Sequence, residues 1–70
     1  MNLDDLILIL LKDNKGRVSK GKMWERFSNY SRGYLHERLQ ALRYSGYIKE
    51  DGGWYILTKK GEKITYDTTT

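Results

Sequence analysis

Between Tyr30 and Ile48 the chain reads YSRGYLHERLQALRYSGYI, and few structures accommodate that order of residues. Leu35, Leu39 and Leu42 recur at i, i+4 and i+7, the spacing of one buried stripe on an α-helix. Ser31 stands where an N-cap is needed, because its hydroxyl accepts from a backbone N–H of the first turn. Tyr30 just before it and Leu35, the fourth helical residue, have the spacing of a hydrophobic staple. At the far end Gly46 follows Ser45, and a left-handed glycine there lets Tyr47 fold back onto Leu42. The pattern predicts a helix from about Arg32 to Ser45 with sharp ends. Around its apolar stripe lie Arg32, Tyr34, His36, Arg38, Gln40 and Arg43, all able to hydrogen-bond. An apolar back with a basic, donor-rich front suits a helix pressed into a nucleic-acid groove. It also suits an amphipathic surface helix whose polar side faces water.

Seventy residues make one domain, expected over 1–66, with a frayed tail at 67–70. A chain this short buries a modest core and gains from a staple, a metal or a partner subunit. There is no Cys, and one His cannot build a zinc site, so neither disulfide nor metal is expected and a partner subunit is the natural aid. No apolar run approaches the ~18 residues of a membrane span. The start, Met1-Asn2-Leu3-Asp4-Asp5, is acidic where a secretory signal is basic. A soluble, intracellular (cytoplasmic) protein is the expectation.

The net charge of +4 is unevenly placed. From Lys12 to Lys49 there are ten basic residues against Asp13, Glu25 and Glu37, a net of +7, and the flanks together are acidic. A positive middle favours polyanions, nucleic acid above all, although basic surfaces that merely face water are common.

Elsewhere the pattern predicts a first helix over about Leu3–Asp13, capped by Asn2, with Leu3, Leu6, Ile7 and Leu10 as its core stripe. Lys15-Gly16 ends it through a glycine that tolerates left-handed geometry. Leu8 falls nearly opposite the stripe and Leu11 beside it, which points to a subunit interface. Arg17-Val18 is a candidate short strand. Ser19 caps a second helix over about Lys20–Ser28, with Met23, Trp24 and Phe27 inward. Two β-prone runs, Tyr47–Glu50 and Trp54–Leu57, flank Asp51-Gly52-Gly53 and read as a hairpin. Thr58 caps a last helix, about Lys59–Tyr66, with Ile64 inward and with Gly61 weakening it by ~1 kcal/mol relative to Ala. Trp24, Phe27, Tyr47 and Ile56 are expected in the core, with Tyr34 and Tyr44 exposed.

At this point the chain resembles the winged helix-turn-helix family, in particular small prokaryotic transcriptional regulators of the MarR, PadR and ArsR kinds and the compact versions from archaea and their viruses and plasmids. The resemblance rests on Ser31-Arg32-Gly33-Tyr34-Leu35, on Leu42-x-x-x-Gly46-Tyr47-Ile48, and on Tyr55-x-Leu57-Thr58-x-x-Gly61. It implies an α+β fold with a three-helix core, a hairpin wing and a short C-terminal helix. It also implies a double-stranded DNA partner and a role in transcription regulation. The wing is minimal, with only Asp51-Gly52-Gly53 at its tip, and Asp51 and Glu50 are expected to repel phosphate. No metal-sensing ligands, effector pocket or cofactor site is evident.

Within that frame Arg32, Tyr34, His36, Arg38 and Gln40 are the candidate base-reading residues. Arg32 and Arg38 match the bidentate pairing of Arg with guanine. Lys15, Arg17, Ser19, Lys20, Lys22, Ser31, Arg43 and Lys49 are the candidate phosphate contacts, the two serines serving first as caps. Glu37 sits among the readers. It accepts from cytosine N4, holds Arg38 or Arg32, penalises wrong sequences, or marks a face that is not on DNA. A homodimer through Leu8, Leu11 and the last helix would place two half-sites ~34 Å apart. The rival class is a protein-interaction module of a replication or transcription assembly, with weak DNA binding. An enzyme is not expected, since no paired carboxylates, nucleophile elbow, metal cluster or phosphate-cradling loop is present.

Overall fold

A computed structural model describes residues 1–64 of the chain. Its elements, in order, are α1 (Leu3–Asp13), β1 (Arg17–Ser19), α2 (Lys20–Arg26), α3 (Arg32–Tyr44), β2 (Ile48–Asp51), β3 (Trp54–Leu57) and α4 (Lys59–Glu62). The molecule is therefore α+β, with four helices and one antiparallel sheet of order β1-β3-β2 among the described residues. The last helix, expected to reach about Tyr66, ends instead at Glu62 with Lys63 as its C-cap, and the tail expected at 67–70 lies outside the described residues. Ile64 packs half-buried against the core, as expected.

Every helix starts on the capping residue its sequence offers. Asn2 accepts from the Asp5 N–H at 2.9 Å while Asp5 reaches back to the Asn2 N–H, a reciprocal capping box. Ser19, Ser31 and Thr58 accept from Lys22, Tyr34 and Gly61 N–H groups in the same way.

The core is built around α1. This helix packs against α3 on one side and against β1 and β3 on another. Enclosure on two sides explains why Leu3, Ile7, Leu8 and Leu11 are all buried. Leu8 and Leu11 were expected at a subunit interface. They are instead 3% and 0% exposed within the single chain, so a dimer cannot be built on them. Leu6 and Leu10, expected at the centre of the stripe, are half-buried at the core's edge.

The hairpin turns through Gly52-Gly53, between the paired Asp51 and Trp54. Gly52 alone of the two has a positive φ, +61°, as a type II′ turn requires. Alternation then fixes which β3 residues face inward. Tyr55 and Leu57 are buried, whereas Ile56, expected in the core, is half-buried on the outer face beside Trp54. Trp24 and Tyr47, also expected in the core, are half-buried at its margin.

Two helix ends are decided by left-handed residues. After α3, Gly46 (φ +83°) donates to the Arg43 carbonyl and Tyr47 to that of Leu42, both at 3.0 Å, which completes a Schellman motif. After α1, the corresponding place is taken by Lys15 (φ +61°), not by a glycine, and Gly16 N–H reaches the Leu11 carbonyl at 2.7 Å. A side chain with Cβ is strained there.

Gly61 does the opposite of what helix propensity suggests. A Cβ at this position would lie 2.2 Å from the Tyr47 carbonyl oxygen and 2.6 Å from Leu57 Cδ1. Glycine lets α4 sit directly on the end of α3. The Thr58 hydroxyl fastens the same junction, lying 2.6 Å from the Gly46 carbonyl and 3.0 Å from that of Tyr47.

Gly61→Ala should destabilise the fold by about 2–3 kcal/mol despite alanine's better helix propensity, because the obstacle is backbone that cannot move aside. Chemical denaturation reads this directly, and an alanine variant as stable as the parent would contradict the packing. Lys15→Gly should stabilise by about 0.5–1 kcal/mol through relief of the left-handed strain, visible as a higher unfolding midpoint with an unchanged m-value.

Candidate nucleic-acid interface

Each residue of a helix is rotated by about 100° from the last. On α3 this sorts the polar residues onto two flanks of the buried Leu35–Leu39–Leu42 stripe. Arg32, His36, Gln40 and Arg43 follow one another at i, i+4, i+8 and i+11 on the first. Tyr34 and Arg38 occupy the second.

Contacts confirm the division. The first flank faces α2 and the hairpin. The Arg32 guanidinium lies over the Trp24 ring of α2, 5.6 Å from its centroid. Arg43 donates to Gln40 Oε1 at 3.0 Å and pairs with Glu50 of β2 at 3.2 Å. Lys20, at the start of α2, pairs with the other oxygen of Glu50. Gln40, Arg43, Tyr44, Ile48, Lys49 and Glu50 line a cleft of about 370 Å³ between α3 and the edge strand.

The second flank faces α1. Arg38 makes two parallel 2.7 Å hydrogen bonds with the Asp4 carboxylate, and this pairing pushes its already high pKa further up. Arg38, a predicted base reader, is thus committed to holding α3 against α1. Its sequence spacing gave no sign of this, because Asp4 is distant in the chain and only packing brings it near. Glu37 lies 4.0 Å from Arg38 and is largely exposed, on the side of α3 away from the Leu stripe. Tyr34, 45% exposed, lies beside Tyr30, with ring centroids 6.2 Å apart.

The predicted phosphate contacts are also divided. Lys20 and Arg43 meet at Glu50 beside the α3 cleft, and Lys49 borders that cleft from β2 with its side chain on the outer face of the sheet. Lys22 donates to Asn14 at 2.9 Å, joining α2 to the end of α1. Lys15 lines a separate cleft with Lys12, Gly16, Leu57 and Glu62. Arg17 sits on the outer face of the sheet, 4.1 Å from the centre of the Trp54 ring. The Ser19 and Ser31 hydroxyls are engaged as caps.

Glu50, in the first strand of the wing, was expected to repel phosphate. It lies instead on the inner face of β2, opposite Tyr55, between two cations. Lys20 and Arg43 hold its carboxyl below the usual carboxylate value, and Glu50 in turn raises the Lys20 ammonium. Burial raises the Tyr55 phenol. Sequence reasoning missed this placement of Glu50 between Lys20 and Arg43. The missed signal was strand alternation, which puts it on the same face as Ile48. Among the described residues no group of His, Asp or Glu is arranged to hold a metal ion, and no helix is long and apolar enough to cross a membrane.

Comparison of the chain with models of protein families, with curated proteins and with solved structures finds no match in any of the three.

The ion cluster has a pH signature. A carboxyl whose folded pKa is depressed contributes stability above its unfolded value, near 4.5, and loses it as pH falls through the folded value. The raised Lys20 contributes below 10.5 and loses it as pH rises through its folded value. Glu50→Gln should therefore flatten both limbs of a stability-versus-pH curve. The change should be small and should shrink in high salt, since the pair is solvent-screened. Equal slopes in parent and variant would mean the cluster does not form in solution.

Proposed function

We propose that the chain is a winged helix-turn-helix protein that binds double-stranded DNA sequence-specifically and acts as a transcription regulator. The observation that carries this reading is the flank of α3 that faces the hairpin. There Arg32, His36, Gln40 and Arg43 line up along one flank of a helix whose Leu stripe is buried. Lys20 and Lys49 extend the positive surface onto the neighbouring elements. The order of helices and strands supports the same reading, because it sets a helix pair ahead of a hairpin beside its second helix.

In this reading α3 enters the major groove by the flank nearer the hairpin. Arg32, near the N-terminal end, and Gln40 reach base edges, Arg pairing with guanine and Gln with adenine. Lys20, Arg43 and Lys49 take backbone phosphates and set the register without reading sequence. Arg38 and Tyr34 brace α3 from behind. One chain suffices for these contacts, and two-fold symmetry in a preferred site would point to a dimer formed by surfaces other than Leu8 and Leu11.

A second reading, a docking module for another protein, is favoured by one observation. Tyr44, 99% exposed at the mouth of the α3 cleft, is the kind of aromatic that interfaces bury.

Selection of duplexes from a random pool, followed by titration across salt concentrations, separates the two. A DNA binder yields a preferred site and an affinity that falls by ~0.9 log unit per phosphate for each log unit of salt. A docking module yields neither. On the preferred site, Gln40→Ala should cost about 1–3 kcal/mol and relax preference at one base pair. Arg38→Ala should lower stability and leave base preference unchanged. Loss of preference at one base in the Arg38 variant would return that residue to the reading face.

A further inference from the structure

Two cations of the α3 flank are already occupied. Lys20 and Arg43 come from different helices and converge on Glu50, each on its own carboxylate oxygen. Arg43 is steadied further by Gln40, which accepts from the same guanidinium nitrogen at 3.0 Å. The Glu50 side chain keeps 23% of its surface exposed, while Lys20 and Arg43 keep 39% and 40%, so the cluster is reachable from outside. One anionic group meeting two cations through two oxygens is the arrangement a phosphodiester also makes, with a charge-assisted hydrogen bond to each cation. Strand geometry explains why a carboxylate stands there. Glu50 lies on the inner face of β2, two residues after the buried Ile48, whereas Lys49 and Asp51 point to the other face. The site is separate from the Asp4–Arg38 pair, which lies on the α1 side of α3.

We propose that Lys20 and Arg43 form a clamp for one backbone phosphate of duplex DNA, and that Glu50 is the clamp's built-in competitor, seated in the free protein and displaced on binding. The proposal rests on the DNA-binding reading above and names a regulating residue within that site. Exchange of one anion for another returns less electrostatic free energy than filling an empty clamp. Glu50 thereby holds down the affinity for any phosphate backbone, whatever its sequence, and leaves discrimination to the base-reading positions. Its charge also offsets the mutual repulsion of the two cations and orients them while no DNA is present.

A four-protein cycle tests this, using the parent, Glu50→Gln, the pair Lys20→Met/Arg43→Met, and the triple variant. Binding of each to a random-sequence duplex is measured at several salt concentrations, with thermal melts establishing that each is folded at the assay temperature. Glu50→Gln should tighten binding on the order of tenfold when Lys20 and Arg43 are present, and by less than about twofold when they are absent. An unchanged or weaker affinity in Glu50→Gln overturns the proposal. So does an equal gain in both backgrounds, which would reflect total charge alone. A measurement on the unmodified chain covers the case of a variant that does not fold. The side-chain carboxyl signal of Glu50, followed by nuclear magnetic resonance, should move as duplex is added and should stop moving at saturation. A Glu50 signal that stays fixed while duplex binds overturns the clamp and leaves the DNA reading standing. Absence of salt-dependent binding to any duplex, by the parent and by Glu50→Gln alike, overturns both.

Discussion

The chain reversal at Gly46-Tyr47 is the constraint on which the rest of the structure depends. A left-handed residue there ends α3 and sends the backbone directly into β2, so helix and strand lie side by side. The Tyr47 carbonyl is the anchor of this junction. It accepts from the Thr58 N–H at 3.1 Å, shares the Thr58 hydroxyl with the Gly46 carbonyl, and touches the bare Cα of Gly61. Lys60 adds a 2.7 Å bond to the Ser45 carbonyl, a cation at the negative end of α3. A Cβ at position 61 would meet the Tyr47 carbonyl head-on, whereas at position 46 the obstacle to a larger residue is the left-handed backbone itself.

That junction couples fold to site. The same strand whose first residue, Ile48, fills the core carries Glu50 to the mouth of the cleft. The same helix whose Leu stripe closes the core carries Arg32, His36, Gln40 and Arg43 on one edge. Core packing therefore sets the spacing of the charged groups, and exposed side chains gain a defined arrangement from buried neighbours. The Asp4–Arg38 pair works to the same end from the other side, fixing the rotation of α3 about its axis against α1.

Much of this was legible in the chain itself, for a physical reason that differs by feature. Caps and left-handed ends are local, since their hydrogen bonds join residues three to five apart. Asn2, Ser19, Ser31, Thr58 and Gly46 could therefore be named in advance. The two-residue turn at Gly52-Gly53 and the Leu stripe of α3 are local in the same sense. Where local propensity and packing disagree, sequence reasoning failed. Lys15 takes a conformation that glycine normally takes. Gly61 is required by contact with a residue fourteen positions earlier, although helix propensity counts it as a weakness.

The sequence by itself determined the order of elements, the residues that cap the helices, and the basic character of the middle of the chain, because each depends on neighbours along the backbone. Only the tertiary structure decided what each charged or apolar side chain meets. It buried Leu8 and Leu11 inside one chain, because α1 is enclosed from two sides. It paired Arg38, expected as a base reader, with Asp4 of α1. It turned Glu50 from a residue facing phosphate into one held between Lys20 and Arg43. Those are long-range pairings, set by how helices and sheet pack, and a periodicity along the chain carries no information about them.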